Sequence, residues 1–488
     1  VRDLPEQINY KKLKLKCGLE IHQQLDTKHK LFCNCSTAMQ EREPITIVKR
    51  KQHPMASELG EIDVAAQYEY LRDRTFNYQV FPNEVCLVCL DEEPPHEVNK
   101  EALDIALQIA LLLNCQIPNE IHVMRKTVID GSNTSGFQRT MVVGLNGFLK
   151  YKGKKIEITH VNLEEDAAAI VKEENGNVTY RLNRLGVPLI EVGTGLLIGY
   201  TPEDIQDIAF TIGLIFRSTS KVKHGLGTVR QDVNVSIKDG ERVEIKGVQD
   251  LGILAKVIKL EVERQLSLPK VVKETRSANE DGTTNFTRPL PGAARMYPET
   301  DIKPVFIDKK YVDGIRKTLP EPWTKKLSRF KSKLRLPDQL AKQILRSDYL
   351  ELFEKIAETK KVEPTIVANT FTSLLKDLER RENVKIENLA EKHFLELFDY
   401  LAKKKIVKEA VPDILKYLAS KPQETVADAI GELGLKPISL EELKNIINDV
   451  TAQPGITFDK AVGLVMSKVR GRVDAQMVIK TLKRLRRI

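Results

Sequence analysis

KKIEITHVNL (residues 154–163) lies between MVVGL (141–145) and NVTYRLNR (177–184). All three stretches set β-branched residues between Gly and Asn, so all three read as strands. Further on, TPEDIQDIAFTIGLIFR (201–217) changes period. Thr201 is a good N-cap, Pro202 suits the first turn, and Asp204 completes a capping box. Ile205, Ile208, Ala209, Ile212 and Phe216 then form one apolar stripe. Strands mixed with such helices give the region up to Glu299 an α+β fold. It is built on a large, mostly antiparallel sheet.

ALDIALQIALLLNCQI (102–117) is the most apolar stretch. Ala102, Ile105, Ala106, Ile109, Leu112 and Leu113 recur at helical spacing, which predicts a buried helix. The stretch contains Asp104 and Gln108 and is too short to span a bilayer, so no membrane insertion is expected. The N-terminus is charged and carries no apolar run, so no signal peptide is visible. The start at Val1 leaves room for a removed leader.

RPLPGAARMYPETDIKPVF (288–306) is dense in Pro and Gly. It cannot continue a helix, so it wraps a surface or forms a hinge. Beyond it LPDQLAKQILRSDYLELFEKIAE (336–358) and PTIVANTFTSLLKDLERR (364–381) are amphipathic and helical. A further break near 382–391 completes the expected organisation: an α+β domain (1–299), a helical linker domain (300–390) and a small helical tail domain (391–488). No internal repeat is apparent. The stretch from Glu41 to Tyr78 reads as an elaboration that begins basic and ends helix-like.

Charged residues make up 30% and apolar residues 41%, an ordinary balance with no disorder signature over most of the length. The net charge of +9 attracts polyanions without choosing among them. Six cysteines in 488 residues are not a disulfide scaffold. Cys17 and Cys115 read as buried small side chains. Four others fall in two pairs, Cys33 and Cys35 in LFCNCS and Cys86 and Cys89 in VCLVC. Two such pairs supply four thiolates, the donor set of a structural Zn²⁺ site. The alternative is four cysteines without a metal. A redox dithiol lacks a thioredoxin-like setting.

Several carboxylates stand at strand-like positions. Glu20 and His22 alternate in GLEIH and so share a face. NLEED gives Glu164, Glu165 and Asp166, and PLIEV gives Glu191. Asp232 and Asn234, and Glu244 and Lys246, are again two apart. Such a set suits a hard cation with phosphate nearby. Taken singly, acidic residues at strand ends are usually solvated. Gly147…Gly153-Lys154-Lys155 is one residue too long for a P-loop and lacks the following Ser or Thr. Gly225-Leu226-Gly227 has Arg230 where a dinucleotide fingerprint needs Gly. H-E-x-x-H and G-x-S-x-G are absent.

In order, GLEIHQQL…LFCNCS, VCLVC, NLEED, LNRLGVPLIEV, GTVRQDVNVSI and EIKG resemble the B-type subunit of the glutamyl-tRNA(Gln) amidotransferases, the GatB family. KAVGLVMSKVRGRVDAQMV (460–478) is similar to the end of that family's C-terminal domain. RPLPGAARMYPETD is similar to the related archaeal E-type subunit, although this chain is short for the extra domain of that protein. The resemblance implies a cradle-shaped first domain and a definite reaction. ATP phosphorylates the side-chain carboxylate of mischarged Glu-tRNA(Gln). Ammonia from an A-type glutaminase subunit then displaces phosphate and gives Gln-tRNA(Gln). A small third subunit, C-type or fungal F-type, completes the implied complex. Glu20, His22, Glu165 with Glu164, and Glu191 match the Mg²⁺ positions. Asp232, Glu244 and Lys246 would sit near the nucleotide or acyl phosphate, and Asn183 and Arg184 match the family's Asn-Arg pair. Cys33, Cys35, Cys86 and Cys89 match zinc cysteines found in many members.

The chain departs from the B-type pattern. HLEEDAGK is NLEEDAAA here, with Asn162 and Ala169 at the changed positions. Arg181 stands for an Asp, Thr194-Gly195-Leu196-Leu197 for Thr-Glu-Pro-Asp, and Gly247 for an Asn. With the basic charge and the start at Val1, these changes suggest a fungal mitochondrial member of the matrix; a bacterial cytoplasmic one is the alternative. In the tail, Lys480, Lys483, Arg484, Arg486 and Arg487 read as phosphate contacts to tRNA. The plainer reading is a solvated helix end whose cations suit the C-terminal dipole. Two other functions stand beside the amidotransferase: a zinc-stapled RNA-binding scaffold without catalysis, and an unrelated Mg²⁺-dependent phosphoryl-transfer enzyme.

Overall fold

The computed structural model describes residues 8–39, 42–56, 60–225, 227–290, 296–359, 361–452 and 456–486. The chain forms two compact units, Val1–Pro322 and Trp323–Ile488.

The first unit begins with β1 (Lys16–Gln24), β2 (Thr46–Arg50), α1 (Val64–Leu71), β3 (Thr75–Val80) and α2 (Lys100–Leu112). Next come β4 (Glu120–Ile121), β5 (Val123–Thr127), β6 (Phe137–Tyr151), β7 (Lys154–Glu165), β8 (Ala169–Glu174), β9 (Asn177–Arg181) and β10 (Pro188–Thr194). β11 (Leu197–Ile198), α3 (Pro202–Ser218), β12 (Val229–Ser236), β13 (Val243–Val248) and α4 (Leu254–Ser267) follow. The unit closes with β14 (Glu274–Ala278), β15 (Thr284–Pro289), β16 (Met296–Pro298), β17 (Val305–Phe306) and α5 (Lys309–Lys317).

Among the described residues, eleven strands form one sheet in the order β15-β14-β13-β12-β1-β10-β7-β6-β5-β16, with β11 paired to β1. β13 and β14 run parallel; the other pairs of this sheet are antiparallel. This is the large, mostly antiparallel sheet expected from the sequence. Each strand turns one side to the core by simple alternation. Leu19, Ile21, Val161, Leu163, Val192 and Val233 are at most 1% exposed. In β7 the alternation is interrupted: Gly193 pairs with His160 but Thr194 with Ile158, so Thr159 bulges out. The extra residue keeps Ile156 and Ile158 buried together with Val161 and Leu163.

Helices α2, α3 and α4 pack on β6 and β7, β1, and β12 respectively. α2 is the buried helix expected at 102–113, and the Asn99 side chain caps it by accepting from Ala102 N. Its close approach requires Gly144 on β6, where a Cβ would lie 2.8 Å from that of Ala110. α3 begins with the expected reciprocal bonds between Thr201 and Asp204. The elaboration at 41–78 supplies β2, α1 and β3. β2 and β3 join β8 and β9 in a separate sheet ordered β2-β3-β9-β8. Thus NVTYR belongs to this small sheet, whose core holds Phe76, Tyr78, Val178 and Tyr180.

β15 and β16, the strands on either side of residues 290–295, occupy the two edges of the large sheet. Residues 300–322 stay with the first unit: β17 pairs with β4, and Gln108 on α2 donates to Thr318 at 3.0 Å. The second unit is helical. Phe330 meets Phe353 edge-on at 5.2 Å and Tyr349 stacks on Phe371 at 4.8 Å. Its last cluster contains Leu443, Ile447, Val465, Val478 and Leu482. No helix among the described residues is long and apolar enough to cross a membrane.

Glu299 fastens the Pro-rich segment to the sheet. Its side chain is fully buried; Arg139 Nε donates to it at 2.7 Å and Arg125 donates to its other oxygen. Burial pushes this carboxyl up, but Arg125, the Asp301 N–H and Arg139 outweigh burial and hold it at about 2. A lowered folded pKa stabilises above the unfolded value of about 4.3, and the gain is lost as pH falls through the folded value. Glu299→Gln should therefore cost about 3 kcal/mol at neutral pH, because Arg139 and Arg125 lose the carboxylate they share and are left with Glu165 and Asp301 as ionic partners. Chemical denaturation should show the parent losing this advantage between about pH 4.3 and pH 2. Equal stability of parent and variant at pH 7 would refute the fastening role.

Candidate functional site

Register places the sequence-predicted carboxylates on one face. β1 pairs Glu20 with Gly193 and His22 with Glu191 on β10, and Glu20 with Asp232 on β12. β10 pairs Glu191 with Asn162 and Leu189 with Glu164 on β7. Directly opposed residues point the same way, so His22, Glu191, Asn162 and Glu164 converge. Ligand atoms of His22, Glu164 and Glu191 all lie within 4.8 Å of one another, and all three side chains are buried.

Glu191 is the hub. Its Oε2 is 3.0 Å from His22 Nε2 and 3.9 Å from Lys126 Nζ. Its Oε1 accepts from His160 Nε2 at 3.0 Å and Asn162 Nδ2 at 2.9 Å. Burial pushes this carboxyl up; Lys126 and the bonds from His160 and His22 override it and hold it well below the carboxylate range. Burial lowers His160, and Glu191 more than restores it, leaving it raised. Glu164 accepts from Thr140 at 2.7 Å and Gln138 at 3.0 Å, with Lys126 at 3.6 Å. His22 Nδ1 and Asn162 Oδ1 are buried without a partner.

A second group lies across β1. Lys246 Nζ donates to Asp232 at 2.8 Å and is 3.1 Å from Glu244. Gly247 N caps the other Asp232 oxygen at 2.9 Å, and Thr275 donates to Glu244 at 2.9 Å. Burial pushes Asp232 up, but Lys246, His22 and Arg230 hold it well below its usual value. Lys246 is raised, because Asp232, Glu244 and Glu20 outweigh its burial. Glu20 sits between the groups; burial, Glu191, Asp232 and Glu244 raise it against the pull of Lys246. One imidazole and several carboxylates in one place suit a hard cation that shares its shell with phosphate oxygens.

Some predicted residues lie elsewhere. Glu165 points to the opposite face from Glu164. Arg139 Nη1 reaches it at 3.4 Å, and it lines a small cavity with Lys30, Cys33 and Cys89. So Glu164, not Glu165, joins His22 and Glu191. Arg184 brackets the turn after β7, donating to Ala167 O at 2.7 Å and Ala168 O at 2.9 Å. Asn183 is buried. His160, Lys126, Gln138 and Thr140 join the site without having stood out in the sequence. His160 and Asn162 precede Glu164 at the strand spacing, which is the signal available; Lys126 lies on another strand and gives none.

The four paired cysteines also meet. The tight Cys33–Cys35 turn is closed by Lys30 N donating to Cys35 O at 3.0 Å, and the second by Leu90 N donating to Cys86 O at 3.2 Å. Cys89 Sγ lies 3.8 Å from Cys33, 3.9 Å from Cys86 and 4.0 Å from Cys35. A tetrahedron with Zn–S bonds of about 2.3 Å has edges of about 3.8 Å, so the spacing is compatible with a structural zinc site. A disulfide needs about 2.05 Å. Bonds from the neighbouring thiols, with help from Lys30, lower Cys89. Lys30 is 1% exposed with its ammonium 3.5 Å from that sulfur, a buried cation suited to a tetrathiolate of net negative charge.

In the tail helix (Ala475–Arg486), Val478 and Leu482 are buried while Lys480, Lys483 and Arg484 are exposed. Lys480 and Lys483 line a groove of about 900 Å³ with Lys361, Lys404 and Lys408. Arg487 and the side chain of Arg486 lie outside the described residues.

Two family models match the chain: the GatB/GatE catalytic domain over residues 15–313 and the GatB domain over residues 351–485. Among curated relatives, the E-type subunit of glutamyl-tRNA(Gln) amidotransferase from Methanocaldococcus jannaschii is 36% identical, with 98% of this chain and 99% of the relative covered. Its counterparts from Archaeoglobus fulgidus and Aeropyrum pernix are 36% and 35% identical, each with 98% of both chains covered. The first alignment runs over 626 positions, more than the 488 residues of this chain, so that relative carries segments without a counterpart here. The chain, with its buried carboxylate–imidazole centre and its cysteine quartet, belongs to the GatB/GatE family of tRNA-dependent amidotransferase subunits.

Proposed function

We propose that the first unit activates and amidates the glutamyl side chain of Glu-tRNA(Gln), using ATP and Mg²⁺. The convergence of His22, Glu164 and Glu191 beside Asp232, Glu244 and Lys246 carries the reading. The relatives' name supplies the substrate class.

A side-chain carboxylate is a poor electrophile. In the proposed reaction its oxygen attacks the γ-phosphorus of ATP and ADP leaves. Ammonia then attacks the carbonyl carbon, the C–O bond to phosphate breaks, and the amide results. Mg²⁺ held by His22, Glu164 and Glu191 would neutralise charge on the transferring phosphoryl group. Glu20, between the two groups, is placed to share that cation. Lys246 presents a cation toward the second group, suited to a phosphate oxygen. Lys126, near both Glu164 and Glu191, offsets their mutual repulsion.

A glutaminase partner with its own nucleophile supplies the ammonia, and a small third protein completes the complex. The four cysteines hold zinc as a staple between early strands. Lys480, Lys483 and Arg484 track tRNA phosphates, together with Arg486 and Arg487.

Three outcomes test this reading. The chain, with and without a glutaminase partner, is incubated with ATP, Mg²⁺, ammonium and Glu-tRNA(Gln), and Gln-tRNA(Gln) is measured. Glu191→Gln should lower product at least about 100-fold while tRNA binding persists; full activity in that variant would sink the assignment. Cys33→Ser and Cys89→Ser should each lower both bound zinc, read by elemental analysis, and melting temperature. Zinc at background in the parent rules out the staple. Replacing Lys480, Lys483 and Arg484 by Gln should weaken tRNA binding and reduce its salt slope by about two. An unchanged slope would show that the tail does not touch phosphate.

A further inference from the structure

We infer that His160 is a positioning residue for the proposed cation site, and that Gly193 is the residue that admits it. The inference rests on the reading of His22, Glu164 and Glu191 as cation ligands.

The bulge at Thr159 turns His160 onto the face of Asn162 and Glu164, since bulges re-aim the side chains beside them. From there its Nε2–H donates to Glu191 Oε1 at 3.0 Å, the oxygen that Asn162 also holds at 2.9 Å. With Oε1 held twice, Oε2 faces His22 at 3.0 Å and Lys126 at 3.9 Å. Oε2 is engaged by His22, itself a proposed ligand, and by the more distant Lys126, so it is the oxygen that a cation shared with His22 and Glu164 would take. His160 thus fixes which carboxylate oxygen enters the site, the part that hydrogen-bonding partners of metal ligands play. The ring is steadied at its other end, where Nδ1 lies 2.9 Å from the Thr159 hydroxyl, which donates to Gly193 O at 3.1 Å.

Gly193 faces the ring directly. A Cβ there would lie 2.2 Å from His160 Cε1, 2.7 Å from Nε2 and 2.8 Å from Nδ1, and these three atoms are its nearest neighbours. Gly193 is not among the positive-φ glycines, so its backbone does not demand glycine. The imidazole does. His160 is 30% exposed, so its ring is not a core filler whose loss would open a cavity.

The test uses the full chain and Mn²⁺ as probe, with affinity read by electron paramagnetic resonance. His160→Ala should weaken Mn²⁺ binding at least about tenfold. His160→Gln, whose amide N–H reaches the same oxygen, should recover most of the loss, and it keeps the test open if the alanine variant does not fold. Gly193→Ala should reproduce the loss by displacing the ring, and should add nothing in the His160→Ala background. Unchanged affinity in His160→Ala, equal loss in His160→Gln, or additive losses in the double variant would overturn the inference. If the parent binds Mn²⁺ and His160→Ala binds equally, the cation site survives and only the role of His160 falls. If the parent binds no Mn²⁺, both fall.

Discussion

A carboxylate taken out of water must find positive charge or give up its own. Glu191 is 4% exposed and stays ionised because Lys126, two imidazoles and an amide surround it. Those partners come from β1, β5 and β7, on both sides of β10. The strand order, the register and the bulge can all be understood as what is needed to bring them to one carboxyl group. Breaking a pair anywhere from β1 through β10, β7 and β6 to β5 would leave a buried charge with less than its complement.

The large sheet is legible because its strands are rich in β-branched residues bounded by Gly and Asn, and α2 and α3 because their caps and stripes stand in the sequence. The shared face of Glu20 and His22 follows from spacing alone. The choice between Glu164 and Glu165 does not: neighbours on a strand face opposite ways, and only the register with β10 assigns them. His160 is hidden for a related reason. Counting by twos from Ile158 places it in the core, while counting back from Glu164 places it at the site. The bulge decides, and nothing in IEITH announces a bulge. Lys126 is illegible because its partners, Glu164 and Glu191, lie on strands far along the chain from it. Arg184 shows the converse, where a motif match names the residue but the structure gives its guanidinium to two backbone carbonyls.

The departures from the B-type pattern gain a second source from the comparisons. Organellar drift is one reading of them, yet the relatives at 35–36% identity over nearly the whole chain are archaeal E-type proteins. Glu164 and Glu165 tie the two candidate sites together, one facing Glu191 and the other facing Arg139 and the cavity beside Cys89. The cysteine quartet and the carboxylate centre therefore share one strand end.

The two margins of the large sheet are consecutive in the chain. Pro289 ends β15 and Met296 opens β16, about seven steps of chain that reach at most about 25 Å. Laid flat, the ten strands from one margin to the other would spread over about 43 Å. The two margins must therefore stand closer together than a flat sheet would allow, so the sheet is bent. Beside the β16 margin stands Glu299, whose grip on Arg139 leads on to Glu165. About seven steps of chain thus cap how far apart the two margins of this unit can stand.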